Sequence, residues 1–209
     1  MSYEFENNYT NFIEPIYGAK RNESEDIRLT TNILIPHTYS IHDSDRVDMT
    51  HYEVYSIDPE GCEDADDAFS IYTNDDNSNL FLCIHIADPT EYIHLHTDLW
   101  QDIVNRTTTK YLSNRAPIHM IPDAILKLSS LKGDNEYKNA ITIISDIDKT
   151  NYTPIGDIRL VFSKLRVKAT NAFSYKEASE NNEIEAFNIG VKISKALQQI
   201  RSKYTKGVK

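Results

Sequence analysis

The sequence predicts an α+β fold in which a mixed sheet is flanked by helices. Runs rich in β-branched and aromatic residues, typical of strands, occur at residues 54–57, 68–73, 80–86, 140–147 and 155–162. Two longer runs, one after Thr97 and one from Glu183 to Tyr204, carry apolar residues at helical spacing. Apolar residues make up 40% of the chain, enough for a core, and no apolar run approaches the ~20 residues of a membrane span.

The first 45 residues are predicted to form a polar lead-in segment. They are rich in Asn, Asp, Glu and Ser, with one short apolar run at residues 33–35. Because this is too little apolar surface for a separate core, we expect a partly extended segment that packs across a main domain of residues 46–209. The N-terminus lacks the apolar stretch of a secretory signal, and two cysteines make no disulfide framework. The sequence therefore predicts a cytoplasmic or other intracellular protein in a reducing compartment.

Four carboxylates lie close together on a predicted loop: Asp58, Asp64, Asp66 and Asp67. Strand-like runs flank them, and Pro59 and Gly61 break the chain between those runs. Because neighbouring carboxylates repel one another, folding them together is unfavourable unless a cation compensates. Clustered oxygen ligands favour Mg²⁺ or Mn²⁺ over zinc. A solvated acidic turn is the alternative, whereas the spacing does not match a calcium-binding EF-hand loop.

Residues 68–73 and 80–86 are predicted to pair as a hairpin, because the six residues between them favour turns. In the second strand, aliphatic residues alternate with Phe81, Cys83 and His85, so one face is strongly apolar and the other is mixed. The hairpin carries Asp67 at its start and Asp88 just past its end. Strand ends of this kind commonly contribute to ligand sites.

Two helices are predicted. Thr97 is expected to cap the first, which places Leu99 and Ile103 on one apolar face. The second runs from Glu183 to Tyr204, roughly six turns, and ends with basic residues, as the helix dipole prefers. Its apolar stripe consists of Ile193, Leu197, Ile200 and Tyr204, extended by Ile184, Phe187 and Val191.

The net charge of −10 conceals two halves of opposite character. Acidic residues predominate up to residue 103 and basic residues predominate after it, so one half is suited to cations and the other to phosphates. Lys164, Arg166 and Lys168 alternate with other residues and share one face if the strand at 155–162 continues to Lys168. On charge alone they are candidates for contacts with a phosphate backbone. A solvent-facing edge strand protected by its charges is the alternative.

Several stretches occur in an order that resembles one protein family. They are R-V-D-M-T at 46–50, S-I-D-P followed by D-A-D-D-A between 56 and 68, L-C-I-H-I-A-D-P-T at 82–90, R-T-T-T-K-Y-L at 106–112, A-P-I-H-M-I-P and L-S-S-L between 116 and 131, and N-A-F-S-Y-K-E-A at 171–178. This order is similar to that in the catalytic RNB domain of ribonuclease II-type exoribonucleases. That family includes bacterial ribonuclease II and ribonuclease R and the catalytic subunit of the eukaryotic exosome.

The resemblance implies Mg²⁺-dependent, processive hydrolysis of single-stranded RNA from its 3′ end, with release of 5′-mononucleotides. It implies that Asp58, Asp64 and Asp67 are metal ligands, directly or through water. Asp66 would lie among them and orient the attacking water or the metal shell. Mn²⁺ is the expected substitute for Mg²⁺.

The same resemblance assigns roles in RNA binding. Tyr111 corresponds to an aromatic residue that packs on the terminal base, and such stacking contributes ~1–3 kcal/mol per base. Arg106, one helical turn away, either contacts a phosphate or holds the loop, and the second role is favoured. Lys164, Arg166 and Lys168 remain candidates for the RNA backbone on grounds of charge.

The resemblance extends from about residue 46 to the C-terminus but includes only the front part of the family's domain. The later part of that domain supplies a second stacking aromatic and an arginine that contacts the reacting phosphate, and flanking cold-shock and S1 domains grip the RNA. No stretch of this sequence resembles them. We therefore expect either an exoribonuclease completed by a second polypeptide or by a compact variant of the site, or a truncated remnant that binds metal or RNA without autonomous catalysis.

Overall fold

The computed structural model describes residues 20–30, 45–62, 64–74, 76–112 and 116–204. They form two compact units. The first contains the described residues of 1–40 and 89–128, and the second contains those of 41–88 and 129–209. The boundary predicted at residue 45 stays a prediction. Among the described helices, none is both long and apolar enough to cross a membrane.

The first unit is helical. It contains α1 (Glu23–Thr30), a 3₁₀ turn (Pro89–Tyr92), α2 (Asp98–Arg106) and α3 (Asp123–Ser129). The prediction for α2 is confirmed, since the Thr97 side chain accepts a hydrogen bond from the Trp100 amide at 3.2 Å. Such a cap satisfies an amide that the helix itself leaves unpaired.

The described part of the predicted lead-in is helical, so the expectation of an extended segment is wrong for residues 23–30. Three acidic residues in the first turn of α1 favour a helix N-terminus there. Leu29 is buried in a cluster with Leu99, Ile103 and Ile125. Those partners lie far along the chain, which is why local composition alone did not reveal this core.

The described residues of the second unit form six strands and two helices. The strands are β1 (Val47–Asp48), β2 (Val54–Asp58), β3 (Asp67–Thr73), β4 (Leu80–Ala87), β5 (Tyr137–Ile147) and β6 (Pro154–Ser174). The helices are α4 (Tyr175–Glu180) and α5 (Glu185–Tyr204). β6 pairs in parallel with β1 and β2 and antiparallel with β5, which confirms the mixed sheet.

The long strand β6 closes the sheet into a ring. Its first part pairs with β5, up to Arg166 opposite Tyr137, and its last part pairs with β2, from Val167 to Ser174. The order β2-β3-β4-β5-β6 therefore returns to β2. The predicted continuation of this strand through Lys168 is confirmed. The edge-strand alternative is wrong for Lys164, which pairs with β1 on one side and with β5 on the other.

The interior of the ring contains the mixed face of β4 rather than its aliphatic face. Cys83 and His85 are buried, while Ile86 on the other face is 39% exposed. The His85 ring is 3.0 Å from Ser70 Oγ and 2.8 Å from Thr142 Oγ1. These hydrogen bonds satisfy the imidazole in a small interior, where an unpaired polar group would be costly.

Helix α5 packs on the outside of the ring through few of its apolar residues. Phe187 and Ile193 are buried, but Val191, Leu197 and Tyr204 are exposed. The predicted helix is confirmed, and its predicted stripe is only partly covered by the described residues.

Candidate active site

The acidic loop joins two antiparallel strands at one end of the ring. Asp58 is the last residue of β2 and Asp67 is the first of β3, with Tyr55 opposite Phe69 in the register. This pairing brings the two strand ends together. Asp64 and Asp66 lie on the loop between them.

Backbone hydrogen bonds hold the loop on two sides. The Ala87 amide donates to the Asp66 carbonyl at 2.8 Å, and the Leu131 amide donates to the Ala65 carbonyl at 2.8 Å. Ala65 is buried, whereas Asp66 and Asp67 are exposed. The loop is thus fixed by its backbone, and its carboxylates remain accessible to ligands.

The carboxylates of the loop repel one another. Although Asp66 is accessible, the protein atoms around its carboxyl group partly desolvate it and raise its pKa, and the negative charges of Asp64 and Asp67 raise it further. Burial also raises the pKa of Asp58, with Asp67 the next cause, although a hydrogen bond involving Ser56 opposes the shift. In both cases the neighbouring charges that act on the carboxyl group are negative. A cation at this end of the ring would relieve that repulsion.

The carboxylate oxygens of the loop are chemically suited to a hard divalent cation, although they do not surround a metal position on all sides. Carboxylate oxygens are the ligands that Mg²⁺ and Mn²⁺ prefer. Within the described ranges, no three His, Cys, Asp or Glu side chains are arranged to hold a metal ion by themselves. Mg²⁺ commonly uses one or two carboxylates and takes its other ligands from water and phosphate oxygens. The four aspartates meet that requirement.

Cys62 belongs to the same cluster. Its sulfur is 3.6 Å from Asp64 Oδ1 and 3.9 Å from Asp58 Oδ1. Burial is the main cause that raises the pKa of this thiol to about 11. The thiol is therefore protonated at neutral pH and can donate a hydrogen bond to a carboxylate, which helps to orient it. A protonated thiol is not a metal ligand, because the thiolate is the form that binds metals.

A lysine that the sequence analysis missed lines a cavity of about 190 Å³ together with Asp58, Cys62 and Ala65. This residue, Lys132, makes no ion pair with any acid in the described part of the chain. It directly follows Leu131, whose amide binds the acidic loop. Its position right after the L-S-S-L stretch was the available signal, but one lysine after a motif is weak evidence in a sequence.

The turn that carries Lys132 is wedged tightly between the loop and β6. At Gly133, a Cβ atom would lie 2.6 Å from the Ala172 Cβ and 2.9 Å from the Lys168 carbonyl oxygen. Real side chains do not approach so closely, so glycine is required for this packing. The position of the Lys132 backbone is consequently well defined.

Arg106 and Tyr111 lie in the first unit. Arg106 Nε donates to Asp102 Oδ2 at 2.9 Å, and Arg21 Nε donates to the same oxygen at 2.8 Å. Burial would raise the pKa of Asp102, but these two guanidinium groups lower it. This ion pairing supports a role for Arg106 in holding the local structure. The Tyr111 side chain is 64% exposed, as a stacking residue requires.

The three predicted cations of β6 share one face of the strand, alternating with buried residues. Their environments differ. Lys168 forms an ion pair with Glu53, which also accepts a hydrogen bond from Asn171. Lys164 and Arg166 lie beside the ring of Tyr137. Nothing in the sequence around Tyr137 indicates this position, because the pairing of β5 with β6 is what brings it there.

A family model described as the RNB domain matches residues 46–204. This match covers most of the chain, and the chain belongs to the RNB-domain family of exoribonuclease-like proteins. The resemblance inferred from the ordered motifs is confirmed.

Two curated relatives illustrate the relationship. The chain is 31% identical over 188 residues to the exosome complex exonuclease RRP44 homolog A of Arabidopsis thaliana, covering 80% of this chain and 19% of that protein. It is 27% identical over 161 residues to the chloroplastic/mitochondrial ribonuclease II of the same plant, covering 75% and 19%. The chain thus spans about a fifth of the length of these relatives.

Solved structures share the fold. RNase R of Mycoplasma genitalium in complex with double-stranded RNA matches with a TM-score of 0.76 at 20% identity, covering 93% of this chain and 35% of that one. Yeast Ssd1, described as a pseudonuclease, matches with a TM-score of 0.69 at 15% identity, covering 83% and 22%. Since a nuclease and a pseudonuclease share this fold, activity depends on the site residues.

Proposed function

We propose that this chain contributes the metal-binding part of an RNB exoribonuclease that hydrolyses single-stranded RNA from the 3′ end and releases 5′-mononucleotides. The observation that carries the proposal is the cluster of aspartates at the ends of β2 and β3 that raise one another's pKa, in a chain that belongs to this family. Such a cluster favours a divalent cation, and phosphodiester hydrolysis commonly depends on one.

In this proposal Asp58, Asp64 and Asp67 hold Mg²⁺, with Mn²⁺ as a substitute. When bound, the metal would lower the pKa of a water molecule and neutralise charge on the leaving 3′ oxygen. Asp66 orients the attacking water. The protonated Cys62 thiol donates its single hydrogen to either Asp64 Oδ1 or Asp58 Oδ1 and so helps to orient that carboxylate.

We further propose that Lys132 supplies positive charge for the reacting phosphate once the carboxylates are neutralised. It lines the same cavity as Asp58, and its backbone is held by the neighbouring Leu131 amide and by the close packing of Gly133. Electrostatic stabilisers of this kind typically contribute ~10²–10³ in rate. The exposed ring of Tyr111 would stack on the terminal base.

A second polypeptide that completes the domain remains part of the proposal. A groove of about 750 Å³ lies between α5 and the outer face of β3 and β4, and Asp67 is among its lining residues. The groove is mostly apolar, with Phe69, Leu82, Val191 and Leu197 in its walls. Val191 and Leu197 are 53% and 39% exposed, so a partner that covered them would remove apolar surface from water. A non-catalytic remnant is the competing function, supported by the pseudonuclease that has the same fold.

The test uses single-stranded RNA labelled at its 5′ end, incubated with the protein in Mg²⁺. We expect progressive shortening from the 3′ end and release of 5′-mononucleotides. Asp66→Asn should abolish this, while Asp157→Asn, a change at an exposed aspartate on β6, should leave it intact. RNA that is bound but never shortened, at any Mg²⁺ or Mn²⁺ concentration, would identify the remnant instead.

A further inference from the structure

Tyr137, Lys164 and Arg166 form a composite surface on the outside of the ring, referred to below as the Tyr137 platform. Tyr137 begins β5 and is 57% exposed. Lys164 Nζ lies 5.9 Å from the centroid of its ring, and Arg166 Cζ lies 5.5 Å from it. These distances are within the range of cation–π interactions. One exposed aromatic ring is therefore flanked by two cations.

The strand register fixes this arrangement. Tyr137 is directly opposite Arg166, and Asn139 is opposite Lys164, so the two cations occupy neighbouring positions along one face. Ser163, Leu165 and Val167 alternate with them and are buried in the ring. Because Lys164 pairs with both β1 and β5, and Arg166 pairs with β5, the platform stands on regular strands of the sheet.

The positive charge of Arg166 is not neutralised by an ion pair with any acid in the ranges that the structure describes. Within those same ranges its buried Nε has no hydrogen-bond partner. Glu53 is in electrostatic range of Arg166, but its two carboxylate oxygens are engaged by Lys168 and Asn171. Lys168 is thus neutralised on the same strand, whereas Arg166 retains charge for another partner.

We propose that the Tyr137 platform binds single-stranded RNA at a subsite separate from the acidic loop, with a base stacked on Tyr137 and adjacent phosphates on Arg166 and Lys164. An exposed aromatic ring bordered by cations is the combination that binds single strands without sequence preference. The inference rests on the proposed function insofar as RNA is the ligand. It adds a contact for RNA outside the reaction site.

The subsite is tested by fluorescence anisotropy of a 5′-fluorescein-labelled single-stranded RNA in EDTA, so that neither metal binding nor cleavage contributes. Tyr137→Ala should weaken binding about tenfold, and Tyr137→Phe should bind like the wild type because the ring is retained. Arg166→Gln should weaken binding and reduce the slope of log K against log salt by about one. Melting temperatures of all variants establish that they are folded.

Two matched controls come from the same unit. Lys195→Gln removes an exposed lysine on α5, and Tyr204→Ala removes a tyrosine that is 84% exposed at the end of α5. Both should bind RNA within about twofold of the wild type. If Tyr137→Ala behaves like Tyr204→Ala, or if Arg166→Gln leaves the salt slope unchanged, the proposal is overturned.

Parallel cleavage assays in Mg²⁺ separate this proposal from the proposed function. Degradation by the wild type, with unchanged RNA binding by Tyr137→Ala, would refute the platform and leave the exoribonuclease intact. Weakened binding by the platform variants, in a protein that never shortens RNA, would support the platform and refute the exoribonuclease. A third outcome is that an acidic peptide competes fully with RNA for the wild-type protein and that Tyr137→Ala leaves RNA binding unchanged. That outcome would show a surface that acts through charge alone, and it would overturn the stacking subsite.

Discussion

Arg46 and Asp88 form an ion pair that is completely enclosed in the second unit. Arg46 Nη2 is 2.9 Å from Asp88 Oδ2, and the two side chains are 0% and 1% exposed. The Arg46 guanidinium also donates to the Ser163 carbonyl on β6 at 3.4 Å. Both residues lie in stretches that carry the family resemblance. The ion pair gives these stretches a structural role, because it links the chain just before β1 to the chain just after β4.

Removing one member of this pair leaves a buried charge without its partner. We expect Arg46→Ala to lower the free energy of unfolding by about 3–5 kcal/mol, measured by urea denaturation. The control is Arg28→Ala, which breaks the exposed ion pair with Asp98 and should cost less than about 1 kcal/mol. Equal losses in the two variants would contradict a special role for the enclosed pair.

His85 should make the stability of the protein depend on pH. Burial lowers the pKa of His85 to about 4, from an ordinary value of 6.5. The folded state therefore excludes a proton that the unfolded chain binds. The contribution of His85 to the free energy of unfolding is fully present above pH 6.5. It is lost as the pH falls toward 4, by on the order of 3 kcal/mol. Urea denaturation between pH 7 and pH 4 measures this loss.

The His85 contribution is isolated by comparison with a variant. In His85→Gln the loss between pH 7 and pH 4 should be smaller, because the imidazole is absent, while His51→Gln at an exposed site should retain the wild-type slope. Identical slopes in wild type and His85→Gln would show that other groups account for the acid sensitivity.

Replacing Asp66 in the acidic loop should change the melting temperature differently with and without metal. Because partial burial and, after it, the charges of Asp64 and Asp67 raise the pKa of Asp66, the ionised carboxylate opposes folding at neutral pH. Asp66→Asn should therefore raise the melting temperature in EDTA. Millimolar Mn²⁺ should raise the melting temperature of the wild type more than that of Asp66→Asn. An unchanged wild-type melting temperature in Mn²⁺ would count against metal binding by the loop.

Lys132 predicts a kinetic effect. If it contacts the reacting phosphate, Lys132→Gln should lower the turnover rate by about 10²-fold, and Lys132→Arg should recover much of that loss because the charge is retained. Lys195→Gln removes an exposed lysine on α5 and serves as the control. Single-turnover cleavage in Mg²⁺ provides the measurement, and equal rates in the two glutamine variants would exclude the role.

Substitution of alanine for glycine should change the free energy of unfolding in opposite directions at two positions. Gly133→Ala places a Cβ atom 2.6 Å from the Ala172 Cβ, so we expect a loss of about 1–3 kcal/mol in unfolding free energy. Gly190→Ala lies in α5, where the added Cβ would be 3.6 Å from Ile71 Cδ1, an ordinary contact. There alanine should stabilise the helix by about 0.5–1 kcal/mol. Thermal or urea unfolding of both variants tests the contrast.

The strands from β2 to β4, the Thr97 cap and the acidic loop were predictable from sequence because their determinants are local. Alternation, turn residues and a capping hydroxyl act over a few positions. The strands β5 and β6 were predicted to be shorter than they are, because their additional residues become strands only by pairing with partners elsewhere in the ring. Helix α1 was missed for the same reason, because Leu29 packs with residues of α2 and α3.

The sequence by itself determined the family, the α+β class and the identity of the four aspartates, because these depend on ordered motifs and on chemistry carried within one loop. Only the tertiary structure decided which face of β4 is interior, that Lys132 lies beside the acidic loop, and that Tyr137 meets Lys164 and Arg166. Each of these depends on pairings between distant strands or on hydrogen bonds between distant segments. Such long-range pairings set the surroundings of a residue and leave no periodic signal in the sequence around it.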